Sequence, residues 1–276
     1  MSTGGSSTGK RIFVTGGASG FGRSIAERWA RAGYRVCIGD IHDGRLAETL
    51  ASLRALGATA HSLRCDVTQE SDLEAAANWL EEHWGGVDVV VNNAGVAIGG
   101  SITEISIDDW RWIIDINLLG VVRGCKVFTP LFRKHGGGRF VNVSSMAGLI
   151  HPPMMSAYNA TKAAVVAISE TLAVELAKDK IAVTVVCPSF FRTNLTETMR
   201  AGSPDIAAVT HKLVNKASRG ADEIADLTFK GVQRGDFHVL THADGRAAWM
   251  LKRFAPFSVY AKAITKNTRR MMGKAV

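Results

Sequence analysis

Residues 15–22 read Thr15-Gly16-Gly17-Ala18-Ser19-Gly20-Phe21-Gly22, and they lie between an apolar run and a stretch with helical periodicity. A glycine-rich turn between a strand and a helix lets the backbone bend tightly and approach a phosphate group, whose charge rests on the helix N-terminus. The spacing G-x-x-x-G-x-G differs from the common dinucleotide-binding spacing G-x-G-x-x-G. Ordinary turn chemistry is the alternative interpretation, but the strand-turn-helix context favours a nucleotide-binding turn.

Apolar runs of strand length alternate with helical stretches along most of the chain. The predicted strands are Arg11 to Thr15, Tyr34 to Gly39, Thr59 to Cys65, Val87 to Asn92, Gly138 to Ser144, Ile181 to Cys187 and Asp236 to Leu240. The predicted helices are Gly20 to Ala32, Asp43 to Leu56, Glu70 to Trp84, Ser106 to His135, Ser156 to Lys178 and Asp222 to Arg234. This alternation predicts an α/β fold: a single-domain, doubly wound, Rossmann-type parallel sheet with helices on both faces.

The positive charge of the chain is confined to its C-terminal part. The formal net charge is +8, and residues 245–276 contain eight Lys or Arg and no carboxylate. We therefore expect a flexible tail at residues 1–9, a Rossmann-type domain at residues 10–244 and a basic, aromatic-containing extension at residues 245–276. The neutral body does not indicate nucleic-acid binding by the whole fold. The extension favours contact within a homo-oligomer, with peripheral membrane contact as the alternative.

The cysteines and histidines do not form a metal-binding pattern. Cys37, Cys65, Cys125 and Cys187 are scattered without C-x-x-C spacing, which predicts buried free thiols in a reducing compartment. The histidines do not cluster, so no metal is predicted. Residues 1–10 do not resemble a secretion signal, and no apolar run is long enough to span a membrane. These features together predict a cytoplasmic protein.

Polar residues follow the second, third and fourth predicted strands, at the sheet edge where such folds bind ligands. Asp40 stands 24 residues beyond Gly16, near the position of the carboxylate that binds the adenosine ribose in Rossmann folds. That carboxylate would accept from a 2′-hydroxyl and repel a 2′-phosphate, and neither Ser19 nor Ile41 supplies a cation. The pattern therefore favours NAD over NADP. A helix N-cap is the alternative role for Asp40, although Asp43 fills it more naturally.

Two further strand ends add candidate cofactor contacts. Asp66 and Val67 follow the third strand, and Asn92-Asn93-Ala94-Gly95 closes the fourth. Their positions favour a role at the edge of the cofactor site, and plain turn chemistry is the alternative.

The reactive residues are predicted where Asn142-Val143-Ser144-Ser145-Met146-Ala147-Gly148 is followed by Tyr158-Asn159-Ala160-Thr161-Lys162. A tyrosine and a lysine four residues apart on a helix share one face. An ammonium at about 4 Å in an effective dielectric near 20 supplies roughly 4 kcal/mol, enough to lower a phenol pKa from about 10 to near 7. The same spacing occurs by chance on surface helices, so this pair alone does not decide the function.

Taken together, the glycine-rich turn, Asp40, Asp66, the Asn-Asn-Ala-Gly segment, Asn117, Ser145 placed 13 residues before Tyr158, and Lys162 resemble the short-chain dehydrogenase/reductase family. The resemblance covers Lys10 to Leu240. It implies that Tyr158 exchanges the hydroxyl proton, Ser145 binds the substrate oxygen, Lys162 lowers the tyrosine pKa and binds the nicotinamide ribose, and Asn117 holds a water beside the lysine.

The resemblance also implies a set of cofactor contacts in this numbering. They are Gly16, Ser19, Gly20, Phe21, Gly22, Asp40, Asp66, Val67, Asn93, Ala94, Gly95, Tyr158, Lys162, Pro188, Phe191 and Thr193. Thr193 is expected at the nicotinamide carboxamide. Ser189 stands where the family usually has glycine after this proline, which implies a less permissive backbone in the loop.

The substrate side is expected to be apolar. Residues from Ser189 to about Gly220 are predicted to form a lid, and the predicted substrate contacts are Ser145, Ile98, Met155 and Phe190. Such a lining suits a hydrophobic secondary alcohol or ketone, although several of these side chains could belong to the core. The prediction is an NAD-dependent alcohol dehydrogenase or carbonyl reductase. The alternatives are an NADPH-dependent ketoreductase of acyl or polyketide type, and a non-catalytic cofactor-binding protein that uses its basic extension.

Overall fold

The computed structural model describes residues 9–272, with side chains through Arg270. The predicted tail at residues 1–9 lies almost entirely outside that range. The strands are β1 (Arg11–Thr15), β2 (Arg35–Asp40), β3 (Ala60–Arg64), β4 (Val89–Asn92), β5 (Ile98–Gly99), β6 (Gly138–Val143), β7 (Ile181–Cys187), β8 (Arg200–Ala201) and β9 (His238–Leu240). The helices are α1 (Gly20–Ala30), α2 (Asp43–Ala55), α3 (Glu70–Trp84), α4 (Ile107–Ile114), α5 (Gly120–Lys134), α6 (Ala147–Ile150), α7 (Ser156–Glu175), α8 (Pro204–Asn215), α9 (Ala221–Arg234), α10 (Ala243–Phe254) and α11 (Phe257–Met272).

Seven strands form one parallel sheet in the order β3-β2-β1-β4-β6-β7-β9. The order reverses between β1 and β4, so the carboxyl ends of these strands border a crevice. Successive residues of β1 face opposite sides: Ile12 and Val14 pack in one apolar core cluster, and Phe13 packs in another. Helices cover both faces, and the predicted doubly wound α/β fold is confirmed.

The helix ends follow from local sequence. The Ser106 hydroxyl caps α4 by accepting from the Asp109 amide at 3.0 Å. Gly85 and Gly235 end α3 and α9 with positive φ angles of 68° and 80°, a conformation that costs glycine little. The predicted free thiols are also confirmed, since all four cysteines are buried and unpaired.

The long helix predicted from Ser106 to His135 contains an irregular turn that sequence periodicity did not indicate. Residues Asp115–Leu119 form a π-helical turn between α4 and α5. An extra residue in one turn rotates the side chains that follow it, and such turns are frequent at functional sites. Here the π turn holds Asn117, whose side chain is fully buried.

The segment from Ser189 to Gly220 was predicted as an irregular lid and is more ordered than expected. It contains β8, which pairs with β5, and the three-turn helix α8. Ser203 caps α8 by accepting from Ile206, and Pro204 stands at its first position. Both helix-start signals, Ser203 and Pro204, are visible in the sequence. No helix was predicted here because they directly follow an irregular loop.

The C-terminal extension folds into two helices, α10 and α11, that return to the chain's own body. Gly245 packs on Met146, and Tyr260 is buried. The extension is therefore partly an intramolecular element, whereas the sequence favoured contact with a neighbouring subunit. Within the described residues, no helix is long and apolar enough to cross a membrane.

Candidate active site

The glycine-rich turn forms one end of the crevice. Gly16 and Gly20 have φ angles of 63° and 49°, which L side chains rarely adopt. A Cβ at Gly22 would collide with the carbonyl oxygen of Gly16, so this glycine lets the helix start against the turn. Position 17 also requires glycine, because a Cβ added there would lie 2.7 Å from the Ile38 side chain. The sequence analysis did not single out Gly17, since packing against β2 was not visible in the spacing.

The N-terminus of α1 fits an anionic group. Ser19 is the N-cap but its side chain makes no capping bond, and the first turn contains no acidic residue. The first amides of this helix therefore lack a side-chain acceptor, as a pyrophosphate site requires. Phe21 is held by an edge-to-face contact with Phe191, with ring centroids 5.3 Å apart. Thr193 and Asn194 lie over Gly20, where a Cβ would meet their side-chain oxygens.

A cavity of about 220 Å³ runs from the glycine-rich turn past the ends of β2, β3 and β4. Its lining includes most of the predicted cofactor contacts: Gly16, Ser19, Phe21, Gly22, Asp40, Asp66, Val67, Asn93, Ala94, Gly95 and Thr193. Of the remaining predicted contacts, Tyr158, Lys162, Pro188 and Phe191 line the adjoining space. Gly20 lines neither part, because Thr193 and Asn194 cover it.

Asp40 lies at the far end of this cavity. Its carboxylate accepts from the amides of Ala18 and His42, each at 3.1 Å. It therefore ties the glycine-rich turn to β2 and also lines the cleft. Arg45 lines the same region and pairs with Glu197 at 2.8 Å. Sequence reasoning missed this cation because it examined only Ser19 and Ile41, whereas the first turn of α2 brings Arg45 back to the cleft.

The strand-end loops are held by side-chain hydrogen bonds. The Asn93 amide group donates to the carbonyl oxygens of Thr15 and Gly16, joining the β4 loop to the glycine-rich turn. The Asp66 carboxylate accepts from both the amide and the hydroxyl of Thr68. Asp66 and Asn93 therefore stabilise their own turns and also line the cleft, so both interpretations of these residues hold.

Tyr158 and Lys162 lie on one side of α7 and are both buried, with exposed fractions of 8% and 5%. The lysine nitrogen is 5.8 Å from the centre of the tyrosine ring and donates to the carbonyl oxygen of Val143 at 2.9 Å. The shared face agrees with the expected geometry. The two side chains also line the same space beside the cofactor cleft.

The electrostatic prediction for Tyr158 is wrong in this structure. Burial raises the pKa of Tyr158 to about 12, and the Ser145 hydroxyl only partly opposes the rise. Burial also lowers the pKa of Lys162 to about 8. A charge near 4 Å would lower the pKa of the phenol, but desolvation in this buried site acts against both charged forms. Near neutral pH the phenol is therefore protonated.

The structure separates the two neighbouring serines. The Ser145 hydroxyl lines the same cavity as Tyr158, accepts from the Ala147 amide at 3.1 Å and donates to the carbonyl oxygen of Pro188 at 3.3 Å. The Ser144 hydroxyl instead donates to the carbonyl oxygen of Lys162 at 2.7 Å and is buried. Ser145 is thus the serine that faces the substrate side.

Asn117 positions the loop that follows β4. Its side-chain oxygen accepts from the Val96 amide at 2.8 Å, and its side-chain amide donates to the Val96 carbonyl at 2.9 Å. These two hydrogen bonds fix the loop after β4 beside Lys162. The water that the resemblance implies at Asn117 stays a prediction.

A second cavity, of about 100 Å³, adjoins Tyr158 on the side away from Asp40. Three of the four predicted substrate contacts line it: Ser145, Met155 and Phe190. Ile98 does not: it is 1% exposed and packs in a core cluster from strand β5, while its neighbour Ala97 lines the cavity. The prediction for Ile98 is therefore wrong.

Replacing Lys162 with methionine should stabilise the protein and flatten its pH dependence. Because the pKa of Lys162 is lower in the folded chain, wild-type stability should rise with pH between about 8 and the ordinary 10.5. Removing the buried charge should raise the free energy of unfolding by about 3 kcal/mol at neutral pH. Loss of the hydrogen bond to the Val143 carbonyl should lower it by about 1 kcal/mol. Urea unfolding from pH 7 to 10.5 measures both. Identical pH slopes in the two proteins would contradict the burial of a charged amine.

Comparison with known proteins identifies the family. The family model described as short chain dehydrogenase matches residues 10–204. The chain belongs to the short-chain dehydrogenase family. This short-chain dehydrogenase is similar to the CLA biosynthesis dehydrogenase/reductase of Lactiplantibacillus plantarum, with 33% identity over 253 residues, covering 85% of this chain and 88% of the relative. It is also similar to a short-chain dehydrogenase/reductase of Burkholderia phymatum, solved with NAD, at 34% identity and a TM-score of 0.85 over 90% of this chain and 94% of that one.

The likeness extends into the C-terminal extension. A short-chain dehydrogenase from Streptomyces avermitilis is 29% identical, with a TM-score of 0.78, and the alignment covers 97% of this chain and 99% of the other. Coverage this complete includes most of residues 245–276. Leu240, the limit that the sequence motifs gave for the resemblance, is therefore too early. Among residues 9–272, no three His, Cys, Asp or Glu side chains group as metal ligands.

Proposed function

We propose that this short-chain dehydrogenase transfers a hydride between NAD(H) and a hydrophobic secondary alcohol or ketone. The observation that carries the proposal is the position of Tyr158. It lines both the space that joins the cofactor cleft and the apolar cavity that contains Ser145. A bound nicotinamide cofactor supplies the hydride chemistry, and the chain supplies orientation and the proton.

Four side chains have distinct roles in proton transfer and in binding of substrate and cofactor. The protonated phenol of Tyr158 can donate its proton to the oxygen of a bound carbonyl as the hydride reaches the carbon. In the alcohol-oxidising direction the phenol must first release its proton to solvent, and the resulting phenolate then accepts the proton of the alcohol. The Ser145 hydroxyl lines the same cavity, and it can donate to that substrate oxygen by turning its hydrogen away from the carbonyl oxygen of Pro188. Lys162 lies beside the Asn93–Val96 loop, where it can reach cofactor hydroxyl groups. Thr193 lies between the glycine-rich turn and the substrate cavity, where it can hold the carboxamide.

The cofactor is proposed to be NAD on the strength of Asp40. Its carboxylate faces the end of the cleft where the adenosine ribose would lie, and a 2′-phosphate there would meet negative charge. The Burkholderia phymatum structure contains NAD, which agrees with this choice. Arg45 is the observation that favours the alternative, an NADPH-dependent ketoreductase, because it is a cation at the same end of the cleft. Its ion pair with Glu197 reduces that attraction.

A non-catalytic role is less well supported. A protein that only binds cofactor has no need of the buried Tyr158, Ser145 and Lys162 around a second, apolar cavity. The homo-oligomer, the cytoplasmic location and the membrane contact of the extension remain proposals. Phe254 and Phe257 are 74% and 79% exposed at the junction of α10 and α11, and they offer a surface for subunit or membrane contact.

The test is a screen of aliphatic, terpenoid and steroid alcohols and ketones, of charged hydroxy acids and of ketoacyl thioesters, with NAD and NADP in parallel. Turnover is followed by the absorbance of the reduced nicotinamide. We expect oxidation of hydrophobic secondary alcohols with NAD and little turnover of charged metabolites. Faster turnover with NADP across the series, or turnover confined to acyl thioesters, would support the ketoreductase alternative instead.

A further inference from the structure

A third cavity, of about 140 Å³, lies behind the apolar cavity that contains Tyr158 and Ser145. Six residues line both cavities, so the two share one wall: Ile150, Pro152, Met155, Ser189, Phe190 and Thr210. Met155 and Phe190 belong to this wall, and an unbranched methionine adapts readily to a neighbouring group. The third cavity therefore adjoins the cavity that contains Tyr158 and Ser145, and a movement of the Met155 side chain in the shared wall would join the two.

The far wall of the third cavity is built by the C-terminal extension. Gly245 and Ala248 of α10 line it, and so do Ile264, Asn267 and Thr268 of α11. Helix α8 supplies the side wall. Without α10 and α11 the cavity would be open to solvent on this side. This gives the extension a role that its basic composition did not indicate.

Two side chains of the extension fasten it to α6 and to the loop that follows α6. Lys252 donates to the carbonyl oxygen of Leu149 at 2.6 Å and contacts His151 Nδ1 at 2.7 Å. The Tyr260 hydroxyl donates to the carbonyl oxygen of Ile150. In the same loop, His151 and Met154 hold positive φ angles of 45° and 63°, which cost free energy in non-glycine residues. The extension thus holds the loop that forms the shared wall.

The chemistry of the cavity defines what it can take. Its lining is mainly aliphatic and aromatic, and Asp244 is its one charged lining residue among the described residues. With no lysine or arginine in the lining, a carboxylate or phosphate has no counter-charge there. An apolar cavity of about 150 Å³ accepts a molecule the size of benzene. The space therefore suits an uncharged apolar group of about six carbon atoms.

We propose that the C-terminal extension completes the substrate site, and that the third cavity receives an uncharged apolar arm of about six carbons attached to the reacting carbon. This inference rests on the proposed function for the reaction itself. It adds the substrate class: a secondary alcohol or ketone with one long, uncharged, apolar arm.

The experiment compares 2-butanol with 2-octanol as substrates. In the wild type, burial of four more methylene groups should raise kcat/KM by up to about 10²-fold. The variant Ala248→Trp fills the cavity and should reduce that ratio at least tenfold. The matched control is Ala247→Trp, since Ala247 is exposed on the same helix and outside the lining. It should keep the wild-type ratio. Ile264→Trp is a second filling variant on α11, for use if Ala248→Trp does not fold.

A binding measurement separates this inference from the proposed reaction. Calorimetric titration with 2-octanone needs no turnover, and its Kd should rise at least tenfold in Ala248→Trp but not in Ala247→Trp. If Ala248→Trp loses 2-octanone binding while the wild type binds it but turns over no alcohol or ketone, the proposed reaction is wrong and the inference about the third cavity stands. Equal kcat/KM for both alcohols in the wild type, or the same ratio in filled and control variants, would overturn the inference.

Discussion

Changing Tyr158 to phenylalanine should lower kcat by about 10²–10⁴-fold, the usual contribution of a positioned proton donor or acceptor. The phenol hydroxyl faces the cavity that contains Ser145, and no neighbouring side chain can replace it: Lys162 points to the carbonyl oxygen of Val143. The ring stays in place because its apolar surface is buried. The Kd for NADH, measured by fluorescence, should therefore change by no more than about threefold.

Tyr34 supplies the matched control for this substitution. It is also buried, but it lies just before β2, at the amino end of the sheet, and its hydroxyl accepts from the Gln233 side chain at 3.3 Å. Tyr34→Phe removes the same atom far from the cleft and should leave kcat near the wild-type value. Wild-type kcat in Tyr158→Phe would exclude the proton-transfer role. A large loss in both variants would point to destabilisation instead, which thermal unfolding would reveal.

Changing Asp40 to asparagine should shift the preference between NAD and NADP by about 10²-fold toward NADP. Two charges about 5 Å apart in an effective dielectric near 20 interact by about 3 kcal/mol, and the substitution removes this repulsion from the 2′-phosphate. Asparagine keeps the size of the side chain and one oxygen that can accept from the Ala18 amide. Arg45, which stays paired with Glu197, then faces the phosphate without the Asp40 carboxylate.

The measurement is the ratio of kcat/KM for NAD to kcat/KM for NADP with one alcohol substrate. Asp43→Asn is the control, because its carboxylate is 76% exposed three residues away and is screened by solvent. It should change the ratio by less than about twofold. An unchanged ratio in Asp40→Asn would mean that Asp40 only braces the glycine-rich turn, and the assignment of NAD would lose its basis.

Local patterns predicted most of the sheet and the carboxyl-edge residues. The inner strands of the parallel sheet are apolar because they are buried on both faces, and this signal is visible in the sequence alone. The positions of Asp40, Asp66 and Asn93 followed from the rule that ligands bind beyond strand ends. Ile98 was misplaced because a two-residue strand gives no periodic pattern from which to decide which side chain faces the cavity.

The charge state of the reacting pair could not be predicted from spacing. A four-residue interval fixes the shared helical face of Tyr158 and Lys162, but not the distance between their polar atoms. It also gives no information on the burial that raises one pKa and lowers the other. Desolvation depends on every element packed around the site, including β6, β7 and the loop before α7.

For this protein, the sequence by itself determined the parallel α/β sheet, the glycine-rich turn and the shared face of Tyr158 and Lys162, because each depends on residues close together in the chain. Only the tertiary structure decided the π turn at Asn117, the position of Arg45 at the adenosine end of the cleft, and the use of α10 and α11 as a cavity wall. Those features join residues distant in the chain, such as Lys252 and Leu149, and their contacts arise only when the packed layers bring them together.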